Sequence, residues 1–210
     1  MAMRRRATLL IIASVSAGLA GAPATAKALD APAATATVNQ AVQEATDAFA
    51  GKTVSREERR RMADRLVQRF ADRQQMAAAV LGRYWTRTSA ADQTKFQSMI
   101  IDYALAFWGD GLSDISKDQK ITVTSSEAQG SQILLHSLST EPGSDPTPID
   151  WLVGTAADGH AVILDLVVEG VSPIKTMRDD FAAVLRTNGG DLGLLMQAMQ
   201  KKIDGAVASK

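Results

Sequence analysis

The hydrophobic period of this chain changes twice, from helical to alternating near Gly111 and back to helical after Gly170. Because side chains repeat every 3.6 residues on a helix and every two on a strand, this order predicts helices, then a sheet, then helices. Val38, Val42, Ala45 and Phe49 repeat at helical spacing up to Gly51. Ser55 with Glu58 forms a capping box ahead of Met62, Leu66 and Phe70,. A third helix is expected from about Arg73 to Leu81, stopped by Gly82. Ser89 caps a fourth, on which Phe96, Met99, Ile100, Tyr103 and Phe107 form one apolar stripe,. Four strand-like runs follow, Ile121–Thr124, Gln132–Leu138, Ile149–Val153 and Val162–Val168, separated by turn clusters,. Ser172 and Pro173 then open a helix ending at Asn188-Gly189-Gly190, and Asp191 caps the last one,. The expected fold is α+β, an antiparallel meander with helices packed on one face of a small twisted sheet. Val162, Leu164, Leu166 and Val168 are expected to share one face of the last strand,.

Arg4, Arg5 and Arg6, the apolar run Ala7–Ala20 and the small residues Ala24-Thr25-Ala26 have the three-part layout of a secretory signal peptide,. Residues 1–26 are therefore expected to be removed, leaving 27–210 as a single domain. Ala28–Thr37, rich in alanine, proline and threonine, reads as a leader with little structure,. Removing the first 26 residues leaves 20 basic and 23 acidic side chains, without the basic excess of a nucleic-acid-binding domain,.

The chain has no cysteine, which excludes a thiol nucleophile, a disulfide framework and a Cys-containing metal site,. Its two histidines, His136 and His160, fall in or beside strands and suit satisfied hydrogen bonds better than metal ligation,. No Gly-x-Ser-x-Gly elbow and no phosphate-cradling glycine loop occurs,. Asp165 and Glu169 would share a face of a regular strand with their backbones about 13 Å apart. The carboxyls of a glycosidase lie within about 5–9.5 Å, so the pair does not suit that chemistry. Arg56, Arg59, Arg60, Arg61 and Arg65, interleaved with Glu57, Glu58 and Asp64, read as a salt-bridged helix surface. No catalytic group, metal or cofactor is expected.

Two segments carry a family likeness. Ala79-Val80-Leu81-Gly82-Arg83-Tyr84-Trp85 with Thr88-Ser89, and Asp165 with Val168-Glu169-Gly170-Val171-Ser172, Phe181 and Leu185-Arg186-Thr187-Asn188-Gly189, stand in order behind the export signal. This arrangement resembles the MlaC family of periplasmic phospholipid-binding proteins, also called toluene-tolerance or ABC-transporter auxiliary proteins. The resemblance implies an apolar slot between helices and sheet that holds a lipid's acyl chains. It also implies a monomeric shuttle between an outer-membrane lipoprotein–porin complex and an inner-membrane ABC transporter complex. The cargo would be a phospholipid, or a related lipid such as a hopanoid in another branch of the family. A scaffold that docks at the membrane complex without carrying lipid is the alternative. The slot would be lined by Phe96, Met99, Tyr103, Phe181 and Leu185 from helices, and by Trp151, Val153, Leu164, Leu166 and Val168 from strands.

Overall fold

The computed structural model describes residues 29–112 and 115–208, so the signal-peptide expectation for 1–26 lies outside the described residues. Among the described residues the helices are α1 (Ala31–Phe49), α2 (Arg56–Phe70), α3 (Arg73–Leu81), α4 (Ala90–Trp108), α5 (Pro173–Thr187) and α6 (Leu192–Ala208). Strands β1 (Lys120–Gln129), β2 (Gln132–Thr140), β3 (Thr147–Thr155) and β4 (Ala161–Val168) form an antiparallel sheet in the order β1-β2-β3-β4. This is the expected α+β meander between two helical segments. No helix among the described residues is long and apolar enough to cross a membrane.

The helix starts follow from their caps. The side chains of Ser55, Ser89 and Ser172 accept hydrogen bonds from the backbone N–H groups of Glu58, Asp92 and Lys175, and Asp191 accepts from Leu194 N at 3.1 Å. Each bond satisfies one of the donors that a helix start leaves unpaired. The stretch expected to be a leader is instead the first turns of α1. Asp30 accepts from Ala33 N at 2.9 Å, and Pro32 sits in the first turn, where a missing N–H costs nothing,. The alanines that follow have the best intrinsic helix propensity.

Two apolar cores result. One is wholly helical, formed by Phe96, Met99, Tyr103, Phe181 and Leu185 with residues of α3 and α6. The other joins α1, through Ala34 and Val38, to Ile133, Leu135, Ile149, Trp151 and Val153 of the sheet. Within it, Ser137 is 2% exposed; its hydroxyl donates to Ile149 O at 2.6 Å and accepts from Trp151 Nε1 at 3.0 Å. The only polar atom of the buried indole is thereby satisfied.

The helices do not all lie on one sheet face. Gln132 and Leu152 alternate with the α1-facing Ile133 and Val153, so they point to the opposite side, where α3 and α5 stand,. Leu135→Ala, which empties a fully buried site, should destabilise the protein by about 2–5 kcal/mol in urea unfolding. Ser137→Ala should cost about 1–3 kcal/mol, because it leaves the Trp151 N–H buried without an acceptor.

Candidate functional site

The junction between β4 and α5 begins with an irregularity in strand pairing. Leu152 pairs with Asp165, but the next residue, Val153, pairs with Ile163, so Leu164 is bulged out of the ladder,. The bulge breaks the strict alternation expected for this strand. Ile163 and Leu166 join the core under α1, whereas Leu164 lies on the side where Leu152 points. Leu164 there covers Gly154, at which a Cβ would stand only 2.5 Å from Leu164 Cδ1. The expectation that Val162, Leu164, Leu166 and Val168 share one face is therefore overturned, because a single extra residue reverses the facing of all that follow.

Asp165, next to the bulge, ties the strand to α5. Its Oδ1 accepts from Leu166 N at 2.9 Å and its Oδ2 from the Ser172 hydroxyl at 2.5 Å. The same Ser172 oxygen accepts from Lys175 N at 2.8 Å, capping the helix. Burial pushes the Asp165 carboxyl above its ordinary range, opposed by the hydrogen bonds from Ser172, Leu166 and Ile174,. The connecting turn is tight, with Glu169 at φ 50° and Gly170 at φ 79°. Glu169 donates its N–H to Pro148 O at 3.1 Å. The chain thus leaves the strand before Glu169, and the shared strand face considered for Asp165 and Glu169 does not form.

A cleft of about 310 Å³ opens beside this junction. Leu152 and Leu164 come from the sheet, Ala79 from α3 and Ile174 from α5; Gln75, Gln132, Asp165, Lys175 and Arg178 complete its wall. It lies between α3, α5 and the sheet face opposite α1. A larger open groove of about 490 Å³ runs between α1 and α2; Ala48, Met62 and Leu66 line it together with Glu44, Asp47, Arg65, Gln68 and Arg69, and the Arg69–Glu44 ion pair at 3.1 Å spans the two helices.

The structure divides the ten residues expected to line a slot. Phe96, Met99, Tyr103, Phe181 and Leu185 are packed together in the helical core, with Phe181 edge-on to both Phe96 and Tyr103. Trp151, Val153 and the half-buried Leu166 belong to the core under α1. Leu164 lines the cleft, and Val168 is 37% exposed. Leu152, Ala79 and Ile174 were not expected in the cleft wall. The alternation of Leu152 with Trp151 and Val153 was the available signal, obscured by the bulge opposite it. His136 Nδ1 pairs with Asp150 Oδ1 at 2.8 Å across the β2–β3 ladder, and His160 pairs with Asp158 in a turn. The basic helix is a salt-bridged surface: Arg60 joins Asp64 and Asp102, and Arg61 meets Glu57 at 2.6 Å.

Comparison with known proteins adds a family and a fold. The family model described as "MlaC protein" matches residues 35–201. No curated protein matches. Among solved structures, a phospholipid-binding protein from Ralstonia solanacearum, in complex with a phospholipid, superposes with a TM-score of 0.69 at 20% identity. The alignment covers 83% of this chain and 98% of that one.

The raised Asp165 value has a definite consequence for stability. Between the unfolded value near 3.8 and the higher folded value, the native state binds more protons than the unfolded state,. The stability contributed by the neutral carboxyl is fully present below that window and is lost as pH rises through the folded value. Asp165→Asn removes this titration. The stability of the natural chain relative to the variant should therefore grow as pH is lowered toward 3.8 in urea unfolding; a difference independent of pH would contradict the assignment.

Proposed function

The chain belongs to the MlaC family, and from that premise we propose that it is a periplasmic lipid carrier that holds phospholipid acyl chains between α3, α5 and the sheet. The observation that carries this reading is the cleft between α3, α5 and the sheet, floored by Leu152, Leu164, Ala79 and Ile174. The fold it shares with a protein solved in complex with a phospholipid supports it. A single domain over 27–210, released from an export signal over 1–26, is part of the same proposal.

The cost of exposing acyl chains to water explains why such a molecule suits the task. Each buried methylene is worth about 0.8 kcal/mol, so roughly 30 in a two-chain lipid amount to about 24 kcal/mol. A lipid with bare chains cannot cross water at useful rates against that cost. Transfer from one apolar environment into another is nearly neutral, so direction comes from the partners. The proposed partners are an outer-membrane lipoprotein–porin complex and an inner-membrane ABC transporter complex. Such a carrier needs no general acid, metal or cofactor, and we propose no enzymatic step.

The cleft is smaller than its cargo. A methylene occupies about the volume of a water molecule, roughly 30 Å³, so two chains require on the order of 900 Å³. The cleft as it stands, about 310 Å³ and open to solvent, does not enclose a volume of that order. Loading therefore parts α3 and α5 from the sheet and draws on the apolar side chains at the seam. Of the ten residues first assigned to the slot, Leu164 faces the cleft; Phe96, Met99, Tyr103, Phe181 and Leu185 lie inside the helical core, and Trp151, Val153 and Leu166 on the opposite face of the sheet.

The filled cores favour one second reading, a scaffold that docks at the membrane complex without carrying lipid. Extraction and mass spectrometry of protein purified from the periplasm distinguish the two. About one lipid per chain is expected, whether phospholipid or hopanoid, and a consistently empty protein would sink the carrier. Ala79→Trp, which fills the cleft from α3, should reduce bound lipid at least about tenfold while the cooperative thermal transition is kept. Full lipid content in that folded variant would place the slot elsewhere.

A further inference from the structure

The cleft wall is not uniformly apolar. Lys175 and Arg178 stand three residues apart on α5, on one side of that helix, and both border the cleft above Leu152, Leu164 and Ile174,. Neither is neutralised by the buried acid beside them, because both oxygens of Asp165 are turned into the junction, toward Leu166 N and the Ser172 hydroxyl. The Lys175 ammonium meets Asp179 at 2.7 Å, but that pair is exposed on both sides. Such pairs contribute little and exchange readily for a better anion. Arg178 makes no ion pair among the described residues; its charge acts on the same Asp179, which Lys175 and, more weakly, Arg178 hold below the ordinary carboxylate range.

The Arg178 side chain is exposed, and its guanidinium reaches back toward α3. It lies against the backbone at the end of α3, where Gly82 has φ 54°; a Cβ there would stand 3.1 Å from Nη2 and 3.5 Å from Nε. Arg offers a planar fork of donors and Lys a point charge, a combination suited to the several oxygens of a phosphate group. A carboxylate needs only the fork.

We propose that Arg178 and Lys175 form a recognition site for a phosphate ester at the mouth of the cleft, with the ester's apolar substituent directed onto Leu152, Leu164 and Ile174. The proposal rests on the carrier reading for its ligand, a glycerophospholipid whose phosphodiester stays at the water-facing rim. It goes further in assigning specificity: the rim selects lipids that carry a phosphate from those with the same chains and none. Inorganic phosphate shares the recognised chemistry, so the experiment includes it.

The test uses the exported chain stripped of lipid, alongside its Lys175→Gln/Arg178→Gln variant. Each is loaded from vesicles of phosphatidylglycerol, or from phosphatidylcholine vesicles containing diacylglycerol, and bound lipid is quantified by mass spectrometry. Inorganic phosphate is titrated separately by NMR. The expected result is at least a tenfold loss of phosphatidylglycerol loading in the variant with diacylglycerol loading unchanged. Arg178→Lys with Lys175 intact should recover part of the loss. Equal phosphatidylglycerol loading by the natural chain and the variant would overturn the phosphate site and leave the carrier reading standing. If the natural chain loads neither lipid but binds inorganic phosphate through these two residues, the site stands, its ligand is the free ion, and the carrier reading fails. Binding of neither lipid nor phosphate would overturn both.

Discussion

The carboxylate of Asp165 joins the sheet to the helices, and the arrangement around it depends on how its two oxygens are used. One accepts from the strand that carries it, the other from the hydroxyl that caps α5. Hydrogen bonds to an ionised, partly desolvated acceptor are stronger and shorter than neutral ones. Burial opposes the charge and outweighs that gain, which is why the carboxyl stands above its ordinary range. The result is a directional link exactly where the chain must turn sharply from β4 into α5. It sets where Ile174, Lys175 and Arg178 stand relative to Leu152 and Leu164, and so shapes the cleft.

The rest of the architecture suits a molecule that has to open without unfolding. Each of the two cores is satisfied by itself, one among helices and the other between α1 and the sheet. Separating α3 and α5 from the sheet would expose the seam between them and leave both interiors packed. A protein with one continuous core would lose far more buried area in making the same room. The charged α2 surface, with Arg60 bridging to Asp102 of α4, braces the helical side without entering the seam.

Much of this was legible in the residues because it depends on local chemistry. Ser55, Ser89, Ser172 and Asp191 announced helix starts, since a side-chain oxygen before an apolar repeat answers the unpaired donors of the first turn,. The switch of period announced the sheet. Misreadings arose where composition and physics diverged. Ala28–Thr37 looked like a leader because alanine and proline also mark unstructured segments, although Asp30 supplies the cap that makes the chain helical from Ala31. The bulge at Leu164 left no mark in a run of apolar residues, because Ile163, Leu164 and Leu166 satisfy either facing equally well.

The sequence by itself determined the order of elements, the boundaries carrying caps and glycines, the apolar supply and the family likeness, all of them properties of neighbouring residues or of composition. Only the tertiary structure decided which apolar residues meet. It put Phe96 and Phe181 in one core, Trp151 and Leu166 in another, and Leu164 with Arg178 at the cleft on the opposite face of the sheet. The reason is that hydrophobic attraction has no direction. Facing is chosen by strand register and by the angle at a junction, and here one bulged residue and one buried carboxylate choose it.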